Sequence, residues 1–269
     1  MKEYIKQIIS EAADSLQAKN LVREYLQARI LQFFQERGAF RDWIFHGGTA
    51  LHFLYHLPRY SEDLDFALKL SDKSFDFKEI VSKIGPWFEA EAYQVNMKIR
   101  AGKTVKSVFI SFPGLLYELG LSVRQAETFS VKIELDSHPP PGGKTDTSII
   151  RRYVILNILH YDQAALLSGK LHALLARPYI KGRDLYDIFW YLSDPSWPKP
   201  NIEFLKNALI QTGWDGPEVN QKNWPSILAE KLDAIDWRRA QEDVRPFMER
   251  ASDIKMMTKE NVIKLLHRL

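Results

Sequence analysis

The sequence predicts an α+β fold, with a mixed β-sheet flanked by helices in the first half and a helical lobe in the second. Three observations predict it. Apolar and polar residues alternate in short runs near 94–101, 105–112 and 129–136, the period of half-buried strands. From residue 162 onward the apolar period lengthens to that of helices. Between these regimes lies Pro139-Pro140-Pro141-Gly142-Gly143, a composition that breaks both patterns and reads as a loop or hinge. Two domains are therefore expected, 1–150 with the sheet and N-terminal helices, and 151–269 with the remaining helices.

The elements follow in order. Ile5, Ile8 and Ile9 form one face of a first helix, and Asn20 is positioned to cap a second whose stripe is Leu21, Val22, Tyr25, Leu26, Ile30, Phe33 and Phe34. Gly38 ends it. Trp43-Ile44-Phe45 is a short strand that enters a Gly-Gly turn; residues 49–57 form a helix stopped by Pro58, and residues 63–70 a strand. Asp76-Phe77-Lys78-Glu79 has capping-box spacing and starts a helix to about Tyr93. Beyond the three alternating runs, residues 153–159 form one more strand. Helices are expected at 162–176, 183–192, 201–211, 224–235, 237–250 and 258–268.

Composition narrows the function classes. Hydrophobic residues make up 45% of the 269, enough for a packed core. The absence of cysteine excludes disulfides, thiolate metal sites and a cysteine nucleophile, and fits a reducing cytoplasm. The N-terminus lacks the pattern of a signal peptide, and no apolar run is long enough to span a bilayer, so no membrane partner is expected. A net charge of +3 is compatible with nucleic acid without being diagnostic of it.

The chemistry concentrates in two short stretches. In Phe45-His46-Gly47-Gly48-Thr49-Ala50-Leu51, the glycines let backbone approach a ligand closely, and a helix N-terminus offers free N–H groups to a phosphate. In Arg59-Tyr60-Ser61-Glu62-Asp63-Leu64-Asp65-Phe66, Asp63 and Asp65 are two apart in a strand and point to one face. Two carboxylates so close repel unless a cation lies between them, and a divalent metal is the natural resolution. A phosphate cradle beside a metal points to phosphoryl or nucleotidyl transfer with Mg²⁺ or Mn²⁺ and a nucleoside triphosphate. Val131-Lys132-Ile133-Glu134-Leu135-Asp136 alternates strictly, so Glu134 on a neighbouring strand is the expected third carboxylate, with Asp136 as its alternative. In the helix that starts at Asp162, Lys170 lies inside the apolar arc of Leu166, Leu167 and Leu174, with Arg177 two turns on; both are expected to meet a triphosphate. Asp184 and Asp187, after Arg183, sit in the first turn of the next helix, where the dipole favours acids. One of them is expected to hold Lys170 or Arg177, or to act on the substrate. Gly142-Gly143-Lys144-Thr145 imitates the end of a P-loop, but His138 stands where the first glycine is required. His52 and His56 have metal-ligand spacing with no third ligand in view.

Taken together, Gly47 to Leu51, Arg59 to Phe66, Glu134, Lys170 with Arg177, and Arg183 to Asp187 resemble the AbiEii/AbiGii toxin family of nucleotidyltransferases, over roughly residues 40–195. The resemblance implies a polymerase-beta-like nucleotidyltransferase sheet with an appended helical lobe. It implies an NTP-dependent, metal-dependent toxin of a toxin–antitoxin or phage-defence (abortive infection) pair, cytoplasmic, with a cognate antitoxin and the 3′ end of a tRNA as acceptor. Asp63, Asp65 and Glu134 would form the metal site; Gly47, Gly48 and Thr49 would cradle phosphates; Arg59 and Ser61 would brace the strand entrance and the nucleotide. Lys170 would neutralise the leaving pyrophosphate, aided by Arg177, with Asp184 catalytic and Arg183 and Asp187 in support. Lys132, Arg151, Arg152, Lys170, Arg177, Lys181 and Arg183 would supply positive charge to RNA. Asp136-Ser137-His138 departs from the family, which commonly has an Arg there. The alternatives are a relative that modifies a protein or small molecule, and an inactive module that only binds nucleotide or antitoxin.

Overall fold

A computed structural model describes residues 2–69 and 76–268. The chain forms two compact units, one of Met1–Thr49, Tyr60–His138 and Thr147–His160, the other of Ala50–Arg59, Pro139–Asp146 and Tyr161–Leu269.

The first unit opens with α1 (Lys2–Ile9) and α2 (Ser15–Glu36). The cap of α2 is Asp14, whose carboxylate accepts the Gln17 N–H at 2.8 Å, not Asn20. Asn20 is instead buried one turn inside the helix, where its neighbours bury it as part of the packed face. The helix ends before Gly38, which takes the left-handed conformation (φ 71°) that favours glycine. A 3₁₀ turn at Ala39–Arg41 leads to β1 (Trp43–His46), followed directly by α3 (Gly47–Tyr55), which passes from the first unit into the second. The strand expected over 63–70 is β2 (Asp63–Leu68); residue 70 lies outside the described residues. The long helix expected after Asp76 is two short ones, α4 (Phe77–Ser82) and α5 (Ile84–Glu89). Asp76 does cap the first, accepting from the Lys78 N–H, but Lys83 ends it and Gly85-Pro86 restart the chain, because proline lacks the N–H that a continuing helix needs. Then come β3 (Asn96–Ala101), β4 (Val105–Pro113), the single turn α6 (Leu115–Glu118), β5 (Thr128–Asp136), β6 (Thr145–Arg152) and β7 (Val154–Tyr161). Neither α6 nor β6 was expected from the sequence, and β6 runs through residue 150.

The seven strands form one mixed sheet in the order β3-β4-β5-β2-β1-β7-β6. Strands β2 and β5 run parallel, as do β1 and β7; β1–β2, β3–β4 and β4–β5 are antiparallel. On one face Phe45, Phe66, Ile133 and Val108 fall in register-related positions and are buried. Trp43 packs against Phe34 of α2 (ring centroids 4.9 Å apart) and against Phe66 (5.5 Å). Each such ring, once buried, contributes roughly 1.5–3 kcal/mol, so this side of the sheet is committed to the core.

In the second unit the helices are α7 (Gln163–Ala176), α8 (Gly182–Ser193), α9 (Ile202–Gln211), α10 (Trp224–Asp233), α11 (Trp237–Val244) and α12 (Lys259–Leu266). Helix α11 stops short of the expected residue 250, since Pro246 turns the chain into a 3₁₀ segment. Asp162 caps α7 by accepting the Ala165 N–H. The loop at Pro139–Gly143 is tied down within this unit: Asn201 donates to the carbonyl of Gly142, and Asn207 to that of Pro141.

Candidate active site on the sheet and a buried ion cluster

On the first unit's open sheet face, strand pairing builds the carboxylate site. In the parallel pair β2–β5, Asp63 stands opposite Lys132 and Asp65 opposite Glu134. Paired residues point to the same side, so all four charges share one face. Burial and the neighbouring Asp65 push the Asp63 carboxyl up to about 6, against the pull of Lys132. Glu134 is turned to Lys132, with Nζ 2.7 Å from its carboxylate. Among the described residues no three His, Cys, Asp or Glu side chains converge to hold a metal ion. A magnesium ion is commonly bound by one or two carboxylates, its remaining positions filled by water and substrate phosphates, so the Asp63–Asp65 pair fits such an ion. Asp136 lies one row further along, opposite Ala67, and its carboxylate accepts the His138 N–H at 2.9 Å.

Local structure holds the two aspartates in place. Gly47 has φ 81°, and a Cβ built there would lie 2.5 Å from the Asp65 carboxylate. Only glycine combines this backbone with room for Asp65. The Thr49 hydroxyl, fully buried, donates to the backbone carbonyl of Asp63. It clips the first turn of α3 to the start of β2. Gly48 is buried in the same turn. Gln27 of α2 donates to the Ser61 carbonyl at 3.0 Å and braces the approach to β2.

Arg59, Lys170, Arg177, Asp184 and Asp187 belong to the second unit, and there they form an ion cluster. Arg59, 2% exposed, grips Asp187 with two hydrogen bonds of 2.6 Å each. Lys170 Nζ lies 2.7 Å from Asp187 and 2.9 Å from Asp184, and Arg177 also donates to Asp184. Burial alone would lower the Lys170 ammonium, but Asp184 and Asp187 outweigh it and hold it above the usual lysine range. Burial likewise opposes ionisation of Asp184, yet Lys170 and Arg177 outweigh it and hold the carboxyl down at about 2. Arg177 is the most exposed member of the cluster, its side chain 40% accessible. Arg183 stands apart, its guanidinium 4.4 Å from the Phe247 ring centroid.

The sequence reading missed the direct Arg59–Asp187 clamp and the pairing of Lys132 with Glu134. It also missed Gly182, whose added Cβ would lie 2.0 Å from the Ala240 carbonyl and whose N–H bonds to Asp243. The Lys132–Glu134 pairing is the one with a local signal, since i and i+2 share a strand face.

Comparison with known proteins agrees with this geometry. The family described as nucleotidyl transferase AbiEii toxin, type IV toxin–antitoxin system, matches residues 29–256. The fold is similar to that of MenT4, a nucleotidyltransferase toxin from Mycobacterium tuberculosis, with a TM-score of 0.62 and 12% identity over 100% of this chain and 90% of that one. It is also similar to JHP933 from Helicobacter pylori, with a TM-score of 0.56 and 16% identity over 93% and 90% of the two chains. No curated protein sequence matches. No described helix is long and apolar enough to cross a membrane. The family match spans most of the chain, and this protein therefore belongs to the AbiEii family of nucleotidyltransferase toxins of type IV toxin–antitoxin systems.

Proposed function

We propose that this nucleotidyltransferase toxin transfers a nucleoside monophosphate from an NTP to the 3′ end of an RNA, with tRNA as the acceptor that its family resemblance favours. The observation that carries the reading is the Asp63–Asp65 pair, whose Asp63 carboxyl is raised by burial and by Asp65, behind a Gly47 that leaves room for Asp65. In the proposed reaction the acceptor hydroxyl bonds to the α-phosphorus, the bond to the bridging oxygen breaks, and pyrophosphate leaves. Bound Mg²⁺ or Mn²⁺ supplies charge neutralisation on the triphosphate and lowers the pKa of the attacking hydroxyl. Asp63 and Asp65 would hold it, the first turn of α3 at Gly47 and Gly48 would present backbone N–H groups to phosphate, and Thr49 keeps that turn attached to β2. Glu134 serves as third ligand or as base once it leaves Lys132. In the second unit Lys170 is already held by Asp184 and Asp187, which a phosphate would have to displace.

The test is incubation of the protein with each labelled NTP, Mg²⁺ or Mn²⁺ and total RNA. Label in RNA that disappears with Asp63→Asn, together with growth arrest on expression that the same variant relieves, is the expected result. Such arrest would act as the toxin's effect in a phage-defence setting, with a cognate antitoxin to restrain it. Label on protein or a small molecule alone, with RNA blank for every nucleotide, overturns the RNA reading.

A further inference from the structure

The face that carries the aspartates continues across the outer strands, and its composition changes there. Register extends the two rows outward. Asp63, Lys132, Phe109 and Lys98 form one row, and Asp65, Glu134, Ser107 and Arg100 the next. Behind them Val108, Ile110, Val131 and Ile133 are fully buried, so strict alternation leaves this side of β3–β5 wet. Phe109 is out of place on such a face. Its ring, half-buried, is flanked by two cations, with the Arg100 guanidinium 5.5 Å and the Lys132 ammonium 5.8 Å from its centroid. Lys98 and Arg100 are exposed, and no carboxylate pairs with either among the described residues.

An aromatic platform set among cations and hydroxyls suits single-stranded nucleic acid. A base of any kind stacks on the ring while backbone phosphates meet the lysines and arginine. RNA recognised at unpaired ends uses this combination, because an unstacked base offers its π-face. With strands about 4.8 Å apart, Phe109 stands roughly 10 Å and Lys98 roughly 14 Å from Asp63 across the sheet. That is within reach of the last few nucleotides of a strand whose 3′ hydroxyl lies at the aspartates.

We infer that the open face of β3–β5 is the track for the single-stranded 3′ end of the RNA acceptor, with a base stacked on Phe109 and phosphates on Lys98, Arg100 and Lys132. This inference rests on RNA being the acceptor.

The test compares wild type with Phe109→Ala, Phe109→Trp and the double variant Lys98→Ala/Arg100→Ala, each first checked by thermal melting. Transfer to an RNA with a single-stranded 3′ overhang gives the KM for RNA, and calorimetry without RNA gives nucleotide affinity. Loss of one stacked base should raise the RNA KM by about tenfold in Phe109→Ala, and Trp should restore it. Removal of two phosphate contacts should raise the KM and flatten its log–log salt dependence by about 0.7 per contact. Nucleotide affinity should hold throughout. An active enzyme whose variants keep the wild-type RNA KM has no such track. Weakened nucleotide binding in Phe109→Ala would assign the ring to the NTP base instead, and loss of binding to the purified antitoxin with RNA KM intact would assign the face to protein; both overturn the inference. Failure of wild type itself to label RNA is a different result, and removes the acceptor and this track together.

Discussion

The two charged regions of this chain obey opposite rules. On the sheet, Asp63 stands beside Asp65 on one face of β2, and burial together with that neighbouring charge raises Asp63 to about 6. In the helical unit, Asp184 and Asp187 are as deeply buried or more so, yet Asp184 falls to about 2 because Lys170 and Arg177 are in contact with it. Burial opposes ionisation in both places; what differs is whether the chain itself supplies the partner. The ion cluster is complete and holds structure together. At Asp63 the pull of Lys132 does not outweigh burial, and that is where a bound metal ion would act.

Four experiments would break or sharpen this contrast. The largest effect is expected for Asp63→Asn or Asp65→Asn, which keep shape and remove charge: activity should fall roughly 10³-fold or more. Mg²⁺ or Mn²⁺ binding measured by calorimetry should fall with it, while the metal-free melting temperature holds or rises as repulsion is relieved. Full activity in either variant would take that residue out of the metal site. Next comes Asp187→Ala. It strands Arg59 and one side of Lys170 in the interior, so urea unfolding should show a loss of roughly 3–5 kcal/mol. A stability change near zero would mean that the cluster is not structural.

A smaller effect is expected for Gly47→Ala. The left-handed backbone costs roughly 1–3 kcal/mol in a residue other than glycine. The new methyl must also displace Asp65, so metal affinity should drop about tenfold to a hundredfold. Stability lost with metal binding intact would separate the turn from the site. The smallest effect is in pH. A carboxyl whose folded pKa exceeds its unfolded value destabilises the fold once ionised. Metal-free wild type should therefore lose stability as pH rises from about 4 to about 6, and Asp63→Asn should lose less. Asp184 has the reverse sign: its depressed pKa adds stability above about 4 that disappears as pH falls through about 2. Melting curves of wild type and Asp63→Asn between pH 4 and 7, without metal, read the first of these; parallel curves would remove Asp63 as the source.

The sequence by itself determined the α+β class, the alternating strands β3–β5, the Gly-Gly entry to α3 and the pairing of Asp63 with Asp65 on one face, since each depends on periodicity or on residues a few positions apart. It also marked Arg59, Lys170, Arg177, Asp184 and Asp187 as important. Their partnerships were another matter. Arg59 meets Asp187 across 128 positions, and whether Lys170 faces a substrate or two carboxylates depends on how α7 and α8 pack. Strand β6 escaped notice because polar and apolar residues at a sheet edge carry little pattern, and the break between α4 and α5 because a capping box marks where a helix starts and not where it stops. Tertiary structure alone decided which acids meet cations of the chain, because a charge's state depends on what comes near it in space, and distance along the chain does not supply that.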